Sequence, residues 1–197
     1  MFMAINRFLF CFLVLCCAWS GLRHLGVGAE DDKSAGTVDR AILIADGKLE
    51  LTAPGTWNRR EPKISIVEHE FAIPAAEGDK VDGRMTIMAS GGSIEDNIDR
   101  WVGQFSQPDG RSTRDKAKVK RREIAGMKVH LVDLSGTFKD QRGPFAPAVE
   151  RPKYRMLAAI IETKNAGNYF VKFYGPERTV AANEKEFNTM LEGIKKK

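Results

Sequence analysis

Cysteine occurs at three positions, Cys11, Cys16 and Cys17, and nowhere after them. That absence excludes a disulfide framework, a thiol nucleophile and a thiolate metal site beyond the first segment. Histidine is as scarce, with 3 in 197 residues, and no H-x-x-x-H or H-x-H spacing fixes a local ligand pair. The serines lack the G-x-S-x-G setting of a hydrolase nucleophile. Gly at 18 and Pro at 8 are too few for a low-complexity linker, and no internal repeat is visible. Neither sign of charge dominates: 31 Lys+Arg against 26 Asp+Glu leave +5, too little to argue for nucleic acid. What remains is 43% hydrophobic and 29% charged, the composition of one globular domain with a real core.

The longest apolar run is residues 8–19 (FLFCFLVLCCAW), preceded by Arg7. It is shorter than the about 20 residues a membrane-crossing helix needs, and it fits the apolar region of a secretory signal peptide. Val27-Gly28-Ala29 offers small residues for cleavage, so residues 1–29 are expected to leave and the mature chain to start at Glu30. A lipoprotein signal ending at Cys16 or Cys17 is the alternative, opposed by Leu15 where a small residue is wanted. The expectation is a secreted or periplasmic protein with no transmembrane segment in its mature chain and no nucleic-acid partner. Residues 30–40 read as a polar, flexible leader, and residues 41–197 as a single domain.

Short apolar runs at 41–45 and 48–53 flank Asp46-Gly47, a strong hairpin signal. Residues 64–74 (ISIVEHEFAIP) and 83–89 (GRMTIMA) alternate like strands. Gly91-Gly92-Ser93 then opens a helix with Ser93 as N-cap and Asp96 at its third position. Ile94, Ile98, Trp101, Val102 and Phe105 share its apolar stripe. Strands are predicted at 117–124, 127–138, 154–163 and 169–174, a long proline-bearing loop at 139–153, and one helix at 179–195 whose end suits Lys195–Lys197. Hairpins dominate and no repeated βαβ alternation occurs. The fold class is therefore α+β, a mainly antiparallel sheet with helices packed on it.

Pro54-Gly55-Thr56-Trp57 after an early strand, and Tyr169-Phe-Val-Lys-Phe-Tyr-Gly-Pro176 before a closing helix at 187–194 (FNTMLEGI), carry a resemblance. The chain resembles the Mog1/PsbP-like family, within it secreted bacterial proteins with a GGS-helix bearing a Trp and a Leu-Ser-Gly-Thr strand end (134–137). The resemblance spans residues 47–194. It implies an α/β/α sandwich around an antiparallel sheet, and a non-catalytic binding module like relatives that serve a photosystem's lumenal side or a small GTPase. No residue set matches either role, and export argues against the GTPase.

Two sets of residues could carry function. His69 and His130 lie on predicted strands; brought together with a carboxylate they would suit a metal or a general base, the alternative reading of a hydrolase or metal-dependent enzyme. The plainer reading is two sheet histidines bonded to nearby groups, with no catalytic residue and no cofactor. Residues 111–122 (RSTRDKAKVKRR) are strongly basic, and a strand over 116–124 would align Lys116, Lys118, Lys120 and Arg122. That stripe, joined to a docking loop with Arg142, Phe145 and Arg151, would bind an anionic envelope component or an acidic protein. Alternatively the lysines blunt a sheet edge against aggregation. Gly91-Gly92-Ser93 could cradle an anion, though a tight turn explains the glycines without one.

Overall fold

Side-chain alternation sorts the apolar residues into two cores, one on each face of a central sheet. The computed structural model describes residues 40–141, 147–164 and 166–197, within the unit Val38–Lys197. The expected signal peptide and nearly all of the leader lie outside the described residues.

A hairpin of β1 (Ala41–Ile44) and β2 (Leu49–Thr52) turns through Asp46 and Gly47, both at positive φ, as the dipeptide predicted. Next come β3 (Asn58–Arg60), β4 (His69–Ile73), β5 (Gly83–Ser90), α1 (Ile94–Val102) and β6 (Phe105–Ser106). The short helix α2 (Thr113–Lys116) leads into β7 (Lys118–Ile124), β8 (Met127–Asp140), β9 (Val149–Glu162) and β10 (Asn168–Pro176). The chain ends with α3 (Glu177–Ala182), α4 (Glu184–Glu192) and β11 (Lys195–Lys196). Eight strands form an antiparallel sheet in the order β3-β4-β5-β10-β9-β8-β6, with β7 also paired to β8; β1, β2 and β11 form a smaller sheet. The α+β class and the antiparallel sheet are thus as expected.

One face of the large sheet packs Phe71, Ile87, Val171 and Phe173 against Ile42 and Leu51 of the small sheet and Val180, Phe187 and Met190 of α3 and α4. The other packs Leu134, Met156, Ile160 and Phe170 against Ile98 and Trp101 of α1 and Phe105 of β6. Ser93 Oγ accepts the Asp96 N–H at 3.0 Å, the cap read from sequence. Gly92 sits at φ +87° in the turn before it, and Asn97 Nδ2 donates to the carbonyls of Gly91 and Ser93, so the glycines serve that turn.

Four sequence expectations need correction. The predicted strand at 64–74 is strand only from His69, and β3 was not anticipated. The strand expected from Ala117, or from Lys116 for the cationic stripe, starts at Lys118, because Ser112 caps the α2 turn and its Oγ accepts the Arg114 N–H. Of the loop expected at 139–153, Lys139 and Asp140 belong to β8 and residues 149–153 to β9, paired through Asp140 and Val149, while residues 142–146 lie outside the described residues. Its Pro152 lies at a register shift opposite the 136–138 stretch, beside Lys153 at φ 57°, where no ladder N–H is required. Finally, the closing helix is broken at Asn183, and Lys195 and Lys196 pair with β2 instead of ending a helix.

The break at Asn183 has a physical cause. Its Oδ1 accepts Trp57 Nε1–H at 3.0 Å and its Nδ2 donates to the Thr179 carbonyl at 2.9 Å. Trp57 packs on Phe173, and Phe173 on Phe187. The Pro-x-x-Trp turn is thereby pinned to the α3–α4 junction. Helix α3 follows Pro176, an N-cap residue with no capping side chain; Asp79 Oδ2 instead accepts the Thr179 N–H at 2.9 Å and its hydroxyl at 2.7 Å. A Cβ on Gly175 would approach Gly83 Cα to 2.8 Å, so the Gly-Pro end of β10 permits a close strand approach. Asn183→Ala removes one buried acceptor and one donor together and is expected to cost about 1–3 kcal/mol. Urea unfolding should show a lower midpoint with an unchanged slope.

Candidate functional site

The register assigns every candidate residue to a face. His69 pairs with Ile87 on the face covered by α3 and α4. His130 pairs with Ile160 on the α1 face. The two imidazoles therefore point to opposite sides of the sheet and cannot share a metal or a reaction, which overturns a joint His69/His130 site. Arg59 Nη1 donates to His69 Nδ1 at 3.1 Å, which leaves Nε2–H to donate to the Leu43 carbonyl at 2.8 Å. His69 thus ties the small sheet to β4. His130 is 4% exposed, and its Nε2 lies 2.6 Å from Oε1 of the half-buried Glu162. Among the described residues no group of three or more His, Cys, Asp or Glu side chains is placed to hold a metal.

The basic stripe assembles in part. Lys118, Lys120 and Arg122 pair with Asp133, Leu131 and Val129 and face α4. Lys116 is not with them; its Nζ bonds Asp109 at 2.6 Å from the α2 turn. Arg151 pairs with Phe138 on the α1 face and donates to Asp140 at 2.8 Å, so the sheet separates it from the stripe. Arg142 and Phe145 lie outside the described residues.

Lys118, Lys120 and Arg122 line one wall of a recess of about 170 Å³, with Leu131 and Leu157 within it and Glu184, Phe187 and Asn188 of α4 opposite. Arg155 joins two of its lining residues, donating to both Asp133 oxygens at 2.9 Å and reaching Glu184 at 2.8 Å. The hydrogen bonds to Asp133 raise the Arg155 pKa despite its desolvation. Arg122 pairs with Glu192 at 2.9 Å, and Lys118 lies 3.9 Å from Asp133. Lys120 has no acidic partner among the described residues. Among the described residues strand β7 pairs only with β8, which leaves its other backbone edge without a strand. A recess of about 170 Å³ is smaller than the roughly 300 Å³ at which small-molecule sites begin, and suits one inserted side chain. A second, more apolar recess of about 540 Å³ runs between Pro54-Gly55 and Met190, Gly193 and Lys195.

The α1 face carries a constellation that the sequence reading passed over. Lys172 and Tyr174 alternate with Val171 and Phe173 along β10, so they emerge opposite the α4-side core. Phe138 stacks on Tyr154 and tilts against Tyr174, with centroids 6.0 and 5.0 Å apart. Lys172 Nζ lies 5.6 Å from the Phe138 centroid and 5.1 Å from that of Tyr174, and donates to Gln104 Oε1 at 2.6 Å. Arg84 donates to Tyr174 Oη at 2.9 Å and forks onto both Glu70 oxygens. Those hydrogen bonds hold Glu70 below the usual carboxylate range. Desolvation, then the charges of Arg100 and Arg84, push Lys172 down to about 7. The signal was present in the Tyr169–Tyr174 alternation, where a Lys and a Tyr share a strand face with Phe170.

No family model and no curated protein matches the chain. In fold it is similar to cyanobacterial PsbP (CyanoP) from Synechocystis sp. PCC 6803, at 12% identity over 83% of this chain and 98% of that one, TM-score 0.49. It is also similar to LpqN of Mycobacterium tuberculosis, a protein involved in cell envelope biogenesis, at 7% identity over 78% and 87%, TM-score 0.46. Mog1p, a Ran-binding protein of Saccharomyces cerevisiae, is similar at 8% identity over 79% and 93%, TM-score 0.44. What those proteins do belongs to them; the α+β class of this chain rests on its own sheet order and layers. No helix among the described residues is long and apolar enough to cross a membrane.

The low Lys172 pKa predicts a pH effect with a definite sign. Between about 7 and the ordinary 10.5 the unfolded chain binds the proton and the folded chain does not, so this residue makes stability rise with pH across that window. Lys172→Met is expected to flatten that rise and to stabilise the fold most below pH 7. Thermal melts of both proteins at pH 6 and pH 9 check it.

Proposed function

We propose that the chain is an exported, non-catalytic binding or accessory module whose β7–α4 groove receives acidic side chains of a partner protein. The observation that carries this is Lys120, a cation without an acidic partner among the described residues, on the wall of a recess sized for one side chain. Lys118 and Arg122 flank it with the same sign, while Arg155 ties Asp133 of β8 to Glu184 of α4. Exposed cations steer an acidic partner over roughly a Debye length, about 8 Å at physiological ionic strength, so binding should weaken with salt. Phe187 and Leu131 supply apolar surface beside the charge, which favours an inserted Asp or Glu stem over a free anion. The open backbone edge of β7 lies alongside the same wall.

The test uses a fluorescently labelled oligo-glutamate peptide and the intact protein. The Lys118→Glu/Lys120→Glu variant is expected to lose at least about tenfold in affinity while its thermal melt stays near that of the parent protein. Unchanged peptide binding would place the interface elsewhere. A large loss of thermal stability would assign the lysines to the fold.

Export rests on the residue 8–19 run and the Val27-Gly28-Ala29 site. Protein recovered from outside the cytoplasm should begin at Glu30 by intact mass. Cys16 in the mature chain, or a lipid on its N-terminus, would overturn that assignment.

A further inference from the structure

Among the described residues, the backbone of β7 has one edge on β8 and one edge without a strand. Its hairpin fixes which residues serve which edge. Ile124 and Met127 close on a two-residue turn, Ala125 and Gly126, with φ of 50° and 69°. Such a turn is closed by a hydrogen-bonded pair, and pairs of the two kinds then alternate away from it. Ile124, Arg122, Lys120 and Lys118 therefore bond to β8. Val119, Arg121 and Glu123 turn their N–H and C=O groups to the other edge. Every residue of β7 before Ile124 is exposed, Val119 included. Carboxylates reach the strand from its two faces, Glu95 of α1 to Arg121 at 3.6 Å and Glu192 of α4 to Arg122 at 2.9 Å. Lys120 faces the groove with no acidic partner among the described residues.

We propose that β7 receives an extended acidic segment of a partner protein as an added antiparallel strand, with a carboxylate at every second position. The charge of that partner rests on the reading of the β7–α4 groove given above; the strand geometry rests on the hairpin. An antiparallel strand makes its hydrogen-bonded pairs with Val119, Arg121 and Glu123, and its non-hydrogen-bonded pairs with Lys118, Lys120 and Arg122. Side chains stand closest in the second kind, with Cα atoms about 4.5 Å apart instead of about 5.5 Å. Alternate carboxylates thus meet the groove cations at the shorter spacing, and opposite charges directly across a pair are stabilising. The residues between them exchange hydrogen bonds with the open edge, which adds affinity that side-chain charge alone does not supply. A second copy of β7 is a poor occupant, since it would set lysines and arginines opposite one another. The cations that blunt this edge against self-pairing are the same ones that favour an acidic strand.

The experiment titrates the intact protein with fluorescently labelled alternating threonine–glutamate peptides: unmodified, N-methylated on the threonines, or N-methylated on the glutamates. Threonine methylation removes the amides that reach β7 and is expected to weaken binding at least about tenfold. Glutamate methylation alters only amides on the solvent edge of the added strand, so affinity should stay within about twofold. On the protein side, hydrogen exchange followed by NMR should slow at least about tenfold for the Val119, Arg121 and Glu123 amides at saturating unmodified peptide. The Lys120 and Arg122 amides, already bonded to β8, should change little. Equal losses for the two methylated peptides, no slowing at Val119, Arg121 and Glu123, or no binding of the unmodified peptide would each overturn strand addition. The groove reading is decided separately, by oligo-glutamate binding to the Lys118→Glu/Lys120→Glu variant. A loss there beside equal losses for the two methylated peptides would keep the groove and remove the strand.

Discussion

Strand β10 sends side chains into two different cores, and the rest of the fold depends on that. It lies between β5 and β9, paired on both edges along nearly its whole length. Tyr169, Val171 and Phe173 enter the core under the small sheet and α4, while Phe170 enters the one under α1. A one-residue slip would exchange the two sets and place Lys172 in an apolar core. The beyond-Cys17 chain has no disulfide to hold register, so packing on both faces must do so.

The same two-sidedness partitions function. The α4 face ends in a groove where cations are partly neutralised: Arg155 by Asp133 and Glu184, Arg122 by Glu192. Lys120 stands outside that pairing and supplies the unbalanced charge. The α1 face follows a different logic, since its carboxylates are taken by arginines and its lysine is left with a neutral acceptor and aromatic rings. Desolvation weakens the Lys172 cation. A single sheet therefore separates a cationic wall on one face from a half-buried lysine on the other.

Local chemistry explains which elements were legible in the sequence. Asp46-Gly47 demanded a tight turn, and Ser93 with Asp96 three residues on marked a helix start whose hydroxyl cap is present. The stripe of Ile98 and Trp101 identified the buried side of α1, while Phe105, read into the same helix, is buried from β6 instead. The closing helix was misread as continuous because its apolar spacing runs through Asn183. The break comes from a hydrogen bond to Trp57, 126 residues away in sequence. The 139–153 stretch looked like a loop because prolines usually end strands, yet a register shift absorbs Pro152.

By itself the sequence determined residue type, alternation and turn chemistry: an antiparallel α+β fold, a cysteine-free main body, and a basic segment lining up on a strand. These are properties of neighbours along the chain, where a period of two or a positive-φ turn leaves a direct trace. Tertiary structure alone decided which sheet face each strand residue occupies. It set His69 and His130 on opposite sides, separated Arg151 from Lys118 and Lys120, and gathered Lys172, Arg84 and the Arg100–Gln104 stretch from three separate segments. Strand pairing joins residues distant in sequence, and period two says that faces alternate without saying what covers each face.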